Sequence, residues 1–129
     1  MRLLLTNDDG LYAQGIHTLA RELRKKHEVV LVAPDSERSG NSQKITIRTR
    51  LKVRQVQIEG LEDILCFETD GTPADCTRIG LYWLEGAPFD AVITGINHGS
   101  NIGTDVLYSG TVGAALEAAM QNKPALAVS

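Results

Sequence analysis

Cysteine is scarce in this chain. Only Cys66 and Cys76 occur in 129 residues, and neither belongs to a CxxC pair. That excludes a disulfide framework and a thiolate zinc site, and it points to a reducing compartment. Long hydrophobic runs are missing too, so nothing reaches the length needed to span a bilayer. The short apolar stretch after Met1-Arg2 does not make a signal peptide. Positive charge is not in excess: 13 Lys and Arg against 16 Asp and Glu give a formal net charge of -3. Broad nucleic-acid binding, which leaves a basic footprint, gains no support from that balance. A small anionic ligand stays open, because local groups decide it. Repeats, low-complexity tracts and linkers are absent as well. The expectation is one domain over residues 1–129, soluble and cytoplasmic. At 43% hydrophobic and 22% charged residues, it is long enough to bury a core.

What is present alternates between strand and helix. Leu3–Thr6 reads as a buried strand. Tyr12–Lys26 carries Ile16, Leu19, Ala20 and Leu23 at helical spacing, with basic residues gathered where the dipole favours them. "EVVLVAP" is a second buried strand stopped by Pro34, and "DSERSGNSQ" is a polar loop. "ITIRTRLKVRQVQI" alternates apolar and polar residues with period two, which predicts an antiparallel ribbon departing from the main sheet. "ILCFETDGTPADC" predicts a strand, a glycine turn and a helix capped by Thr72 with Pro73 at its first position. "FDAVITGIN" is another buried strand. "SGTVGAALEAAMQ" is a helix capped by Ser109 or Thr111, and "PALAVS" is a last apolar strand. The predicted fold is α/β: a Rossmann-like open, mainly parallel sheet with helices on both faces. A final strand without a covering helix makes truncation at the C-terminus the expectation.

Ligands of such sheets gather at the carboxyl ends of the strands. Here those ends share one chemistry. The first strand is followed by Thr6, Asn7, Asp8 and Asp9, and Gly10 turns the chain so that both carboxylates reach one rim. The second is followed by Ser36, Ser39, Asn41 and Ser42, and "DAVITGI" by Asn97, Ser100 and Asn101. Each loop taken alone is ordinary turn composition. Together they predict a cluster of oxygen donors suited to a hard cation, magnesium or manganese, rather than to zinc.

A second signal concerns anions. Ser109, Gly110 and Thr111 open a helix, where unpaired N–H groups and the dipole favour phosphate. The alternative is a well-capped helix whose Gly113 and Ala114 pack closely on the sheet. A cation beside such a cradle suits cleavage of a phosphate ester. Other residues carry less. His17 and His27 read as helix-surface or dipole-complementing residues, and His98, inside the candidate site, as a solvated loop residue with an acid–base role as the alternative. Tyr82 and Trp83 read as closing the core or an interface, and the two cysteines as buried apolar residues.

In order along the chain, "LLLTNDDG", "APDSERSGNS", "DGTPADC", "TGINHGSNIG" and "YSGTVGAALEA" resemble the motifs of the SurE family, the survival protein nucleotidases. The resemblance covers nearly the whole chain. It implies metal ligation by Asp8, Asp9, Ser39 and Asn97. It also implies a phosphate site around Asn101 and Ser109, Gly110 and Thr111; Asn41 and Ser42 join the substrate-binding set. The implied activity is hydrolysis of nucleoside monophosphates with magnesium or manganese, in the cytoplasm, by a homodimer or tetramer. The expected mechanism is a metal-activated water oriented or deprotonated by Asp8 or Asp9. Direct aspartate attack is disfavoured, because phosphatases of that kind space their two aspartates by one residue. Family members generally run to about twice this length. Lys44 and Ala118 depart from the family pattern without removing a ligand. Two alternatives bind without hydrolysing: a Rossmann-type nucleotide module and a receiver-like magnesium module. The first needs a GxGxxG turn where "NDDG" stands. The second needs an aspartate where "TGIN" offers asparagine.

Overall fold

The computed structural model describes residues 1–129. Strand β1 (Arg2–Thr6) is apolar on both faces and buried along its whole length, as a strand covered from both sides must be. Chain order continues with α1 (Gln14–Leu23), β2 (Glu28–Pro34), β3 (Val53–Val56), β4 (Leu65–Thr69), α2 (Pro73–Tyr82), β5 (Ala91–Thr94), α3 (Gly110–Met120) and β6 (Ala125–Ala127). A short 3-10 turn, Gly103–Leu107, leads into α3. The strands form one sheet in the order β3-β4-β2-β1-β5-β6. All neighbours are parallel except β3 with β4.

Alternate strand residues feed two cores. Leu5, Leu31, Ala33 and Cys66 pack under Ile16 and Ala20 of α1. Leu4, Val30, Val32 and Val92 pack against Cys76 and Ile79 of α2 and Ala118 of α3. Helices therefore cover both faces, as the continuous apolar strands required. Ala118 is fully buried there, so its methyl group fills core volume. The predicted helix start at Thr72 is a reciprocal capping box: the Thr72 side chain accepts from the Asp75 N–H, and the Asp75 carboxylate accepts from the Thr72 N–H.

Three expectations need correction. The period-two stretch does not form a ribbon: only Val53–Val56 is strand, the antiparallel edge partner of β4. Residues 45–52 are irregular, and Ile47 is 81% exposed, so alternation there never met a second strand to pair with. Tyr82 and Trp83 lie outside the core, 57% and 80% exposed. His17 is not merely a surface residue, since its Nε2 hydrogen-bonds the Leu11 carbonyl oxygen at 2.8 Å. Both cysteines are free and buried. No helix is long and apolar enough to cross a membrane.

Candidate functional site

The chain moves outward from β1 through β2 to β4, then returns to lay β5 on the other side of β1. The reversal makes a topological switch point between β1 and β5, and the crevice at their carboxyl ends is where open sheets hold ligands. Asp8 and Asp9 leave β1 there, and Asn97 leaves β5 there.

Asn7 is fully buried and shapes the first turn: its side chain donates to the Gly10 carbonyl at 2.9 Å and accepts from the Gly10 N–H at 3.2 Å. Gly10 itself has φ of +100°, a conformation natural only to glycine. The two carboxylates then part. Asp8, 5% exposed, accepts from the Thr111 hydroxyl at 2.6 Å. Asp9 is half-buried and accepts from the His98 N–H at 2.8 Å. Both remain on one rim, facing successive parts of the segment that runs from β5 into α3.

Asn97 joins them. Its Nδ2 donates to the Gly99 carbonyl at 2.9 Å, which turns its Oδ1 toward Thr111, 3.4 Å away. One hydroxyl proton thus faces a carboxylate and an amide oxygen, an excess of acceptors over donors. That surplus fits a hard cation, which accepts several oxygen lone pairs at once. No three His, Cys, Asp or Glu side chains lie close enough to hold an ion, so any cation here needs Ser or Asn oxygens as well.

Burial raises the Asp9 carboxyl above its ordinary value, against the lowering effect of the His98 N–H. The charges of Asp8 and Glu37 raise it further. Glu37 accepts from the Ser39 hydroxyl at 2.5 Å on an exposed loop, and Ser39 makes no hydrogen bond to Asp8, Asp9 or Asn97. That loop is anchored at both ends. The Arg38 N–H donates to the Asp8 carbonyl at 2.7 Å, and Ser42 donates through its N–H to Tyr108 at 3.0 Å and through its hydroxyl to Leu107 at 2.7 Å.

The helix start is equally tight. Ser109, not Thr111, caps α3 by accepting from the Val112 N–H at 3.2 Å. The N–H groups of Gly110 and Thr111 find no carbonyl in their own helix. A Cβ on Gly110 would lie 2.9 Å from the Asp8 Cβ, so glycine lets the carboxylate approach the helix end. Other candidate residues are hydrogen-bonded within the chain. Asn101 is tied to the Ser129 hydroxyl through its N–H and its Nδ2, at 3.0 and 3.2 Å. Asn41 donates to the Arg38 carbonyl at 2.7 Å, inside its own loop. Lys44 is exposed, and its carbonyl accepts from the Thr72 hydroxyl at 2.5 Å.

Three residues at the site escaped sequence reasoning. Arg38 is one: its Nε is buried with no partner, beside the loop that holds Ser39. Glu37 is another, and Gly15 the third. A Cβ on Gly15 would fall 2.1 Å from the Ile96 carbonyl oxygen, so α1 presses directly on the turn that presents Asn97. Only a glycine at the second helical position hinted at this, and that signal names no partner.

The sequence profile described as Survival protein SurE matches residues 3–129. The curated 5'-nucleotidase SurE of Clostridium botulinum (strain Eklund 17B / Type B) is 49% identical over 129 residues, 100% of this chain and 51% of its own. That of Pseudothermotoga lettingae is likewise 49% identical over 129 residues, covering 49% of its length. The crystal structure of the SurE protein from Aquifex aeolicus matches with a TM-score of 0.86 at 40% identity, over 98% of this chain and 50% of that one. The chain spans about half the length of the curated relatives it matches.

Proposed function

The chain belongs to the survival protein SurE family, and from that premise we propose that it is a metal-dependent phosphomonoesterase acting on nucleoside monophosphates. The observation that carries the proposal is the junction of the Asp8 carboxylate, the Thr111 hydroxyl and the Asn97 amide oxygen at the first turn of α3. Acidic oxygens and unpaired helix N–H groups meet there, the pairing that phosphoryl transfer requires. The names of its relatives, 5'-nucleotidase SurE, support the same reaction class.

Asp8, Asp9, Ser39 and Asn97 would hold a magnesium or manganese ion. Such an ion, when bound, polarises a phosphoryl oxygen and acidifies a bound water. Asp8 is committed to Thr111, which leaves Asp9 to orient the attacking water and take its proton. As the water oxygen bonds to phosphorus, the ester bond breaks and the leaving oxygen takes a proton from solvent. The N–H groups of Gly110 and Thr111 hold the phosphoryl oxygens as charge builds on them. Ser109 keeps that turn in place through its cap, and Ser42 secures the Ser39 loop against it. Asn41 and Asn101 frame the site as substrate-contacting loop residues. A cytoplasmic location and a homodimeric or tetrameric assembly complete the proposal.

Phosphate release from a nucleoside monophosphate, with and without manganese, tests the reading. Wild type should require the metal, and Asp9→Asn should lose at least two orders of magnitude in kcat. Metal-independent release, or an Asp9→Asn variant of full activity, would refute it. A non-hydrolysing Rossmann or receiver-like module would bind without releasing phosphate.

A further inference from the structure

The net charge of -3 conceals an uneven distribution. The stretch from Lys44 to Ile58 holds five of the chain's 13 Lys and Arg and none of its 16 Asp and Glu. We propose that the face this stretch forms with the end of α2 binds single-stranded nucleic acid, its cations meeting phosphates and Trp83 stacking on a base. The surface shares no residue with the candidate site between β1 and β5 and does not rest on the phosphomonoesterase reading.

A cavity of about 490 Å³ lies between this stretch and α2, a volume within the range of small-molecule sites, about 300–1,000 Å³. Leu51, Val53 and Ile79 give it an apolar lining, and Arg50, Arg78 and Trp83 add charge and an aromatic ring. Its one acidic lining residue is Asp75, which is buried. That carboxylate already accepts from the Thr46 N–H at 2.9 Å, the Thr46 hydroxyl at 2.7 Å and the Thr72 N–H at 2.9 Å. Arg78 shares its charge with Glu117 at 3.1 Å, whereas Arg50 shares its charge with no carboxylate. The charge that the cavity presents to solvent is therefore positive.

The cations extend beyond the cavity. Lys44, Arg48, Arg50 and Lys52 are all exposed, and none of their side chains enters an ion pair or a hydrogen bond within the chain. Arg54 differs, being held by Glu68 at 2.8 Å. Exposed charge along a sheet edge serves by itself to block pairing with another chain, but that role needs neither a cavity nor an aromatic ring. Ile47, Val53 and Trp83 are exposed among these cations. The Tyr82 ring is occupied, with the Arg78 guanidinium 6.0 Å from its centroid and its hydroxyl bonded to Gln121. The Trp83 ring has no such partner. Free cations interleaved with an open aromatic face are the means of sequence-tolerant single-strand binding, in which phosphates meet the charges and bases stack on the ring. A duplex hides its base faces and an acidic peptide has none. A lone mononucleotide fills the cavity but leaves Lys44 and Arg48, outside its lining, without an anion.

Trp83 is the chain's single tryptophan, so its fluorescence reports the stacking directly. The test titrates the protein with an oligothymidylate lacking terminal phosphates, in EDTA and low salt, where hydrolysis plays no part. Quenching should saturate, and the logarithm of affinity should fall with the logarithm of salt at a slope of about -3, as four phosphate contacts to a single strand require. Arg50→Ala should weaken binding and reduce that slope by about 0.7. Lys26→Ala, at an exposed lysine beyond α1, should change neither. Trp83→Ala, followed by anisotropy of a labelled strand, should bind at least about fivefold more weakly. Both Arg50 and Trp83 are exposed, so neither substitution removes core packing. Quenching that never saturates, or an Arg50→Ala or Trp83→Ala variant that binds like wild type, overturns the proposal. Equal affinity for polyglutamate or for a duplex overturns it in favour of charge alone, and equal affinity for thymidine monophosphate in favour of a mononucleotide site.

Discussion

Gly113→Ala separates helix propensity from tertiary fit with opposite signs. In a solvated helix interior, glycine to alanine is favourable by roughly 0.8–1.0 kcal/mol. Here the added Cβ would lie 2.0 Å from the Ser42 carbonyl oxygen and 2.6 Å from its carbonyl carbon. Close carbon–oxygen contacts sit at about 3.3–3.6 Å, so helix and loop must separate by more than about 1 Å. Both obstructing atoms are backbone, and no rotamer change relieves them. Overpacking of this kind costs about 1–3 kcal/mol. Separation also strains the two hydrogen bonds that Ser42 makes to Leu107 and Tyr108, each worth about 1 kcal/mol. After the helix-propensity gain, the net loss is about 1–3 kcal/mol. At roughly 3–5 °C per kcal/mol for a chain of this length, Tm should fall by about 3–15 °C. Thermal melts and urea titrations followed by circular dichroism measure it. Ala119→Gly, at an exposed position of the same helix, is the reference and should cost about 1 kcal/mol through propensity alone. Both substitutions should therefore destabilise although they are chemical opposites. A Gly113→Ala variant that melts at or above wild type would refute the close approach of the Ser42 loop to α3.

Thr72→Ala removes the α2 cap and the hydrogen bond to the Lys44 carbonyl; urea unfolding should show a loss of about 1–2 kcal/mol. Gly110→Ala should weaken manganese binding, measured by calorimetry, more than it lowers Tm, because the new Cβ meets the Asp8 side chain first. Burial pushes the Cys66 thiol up to about 11 from an ordinary 9.0, and Cys76 higher still. Both thiols should resist alkylation at pH 8 in the folded protein and react on unfolding. A thiol raised by folding stays neutral below the unfolded value, so this contribution is intact below pH 9 and is lost as pH rises toward 11. Rapid labelling of Cys76 without unfolding would contradict its complete burial.

Much of the fold was legible because local pattern and tertiary demand agreed. Continuous apolar strands at Leu3–Thr6 and Glu28–Pro34 can only be covered on both faces, and they are. Thr72-Pro73 signalled a helix start that side-chain and backbone groups complete within four residues. The stretch from Ile45 misled because alternation reports a half-exposed extended chain, and pairing needs a partner the pattern cannot name. Of the core and interface roles expected for Tyr82 and Trp83, the core one fails because the end of α2 runs past it.

Residue order alone supplies the chemistry available: two adjacent carboxylates, a hydroxyl loop, an amide and a small-residue helix start, each held by short-range turn or capping preferences. Which of those groups face one another is set by the assembled sheet. Strand order places β5 beside β1, and so brings Asn97, His98 and Thr111 to the two aspartates. The physical reason is that caps and turns act over a few residues, whereas those contacts span as many as 103 positions and exist only once the sheet has assembled.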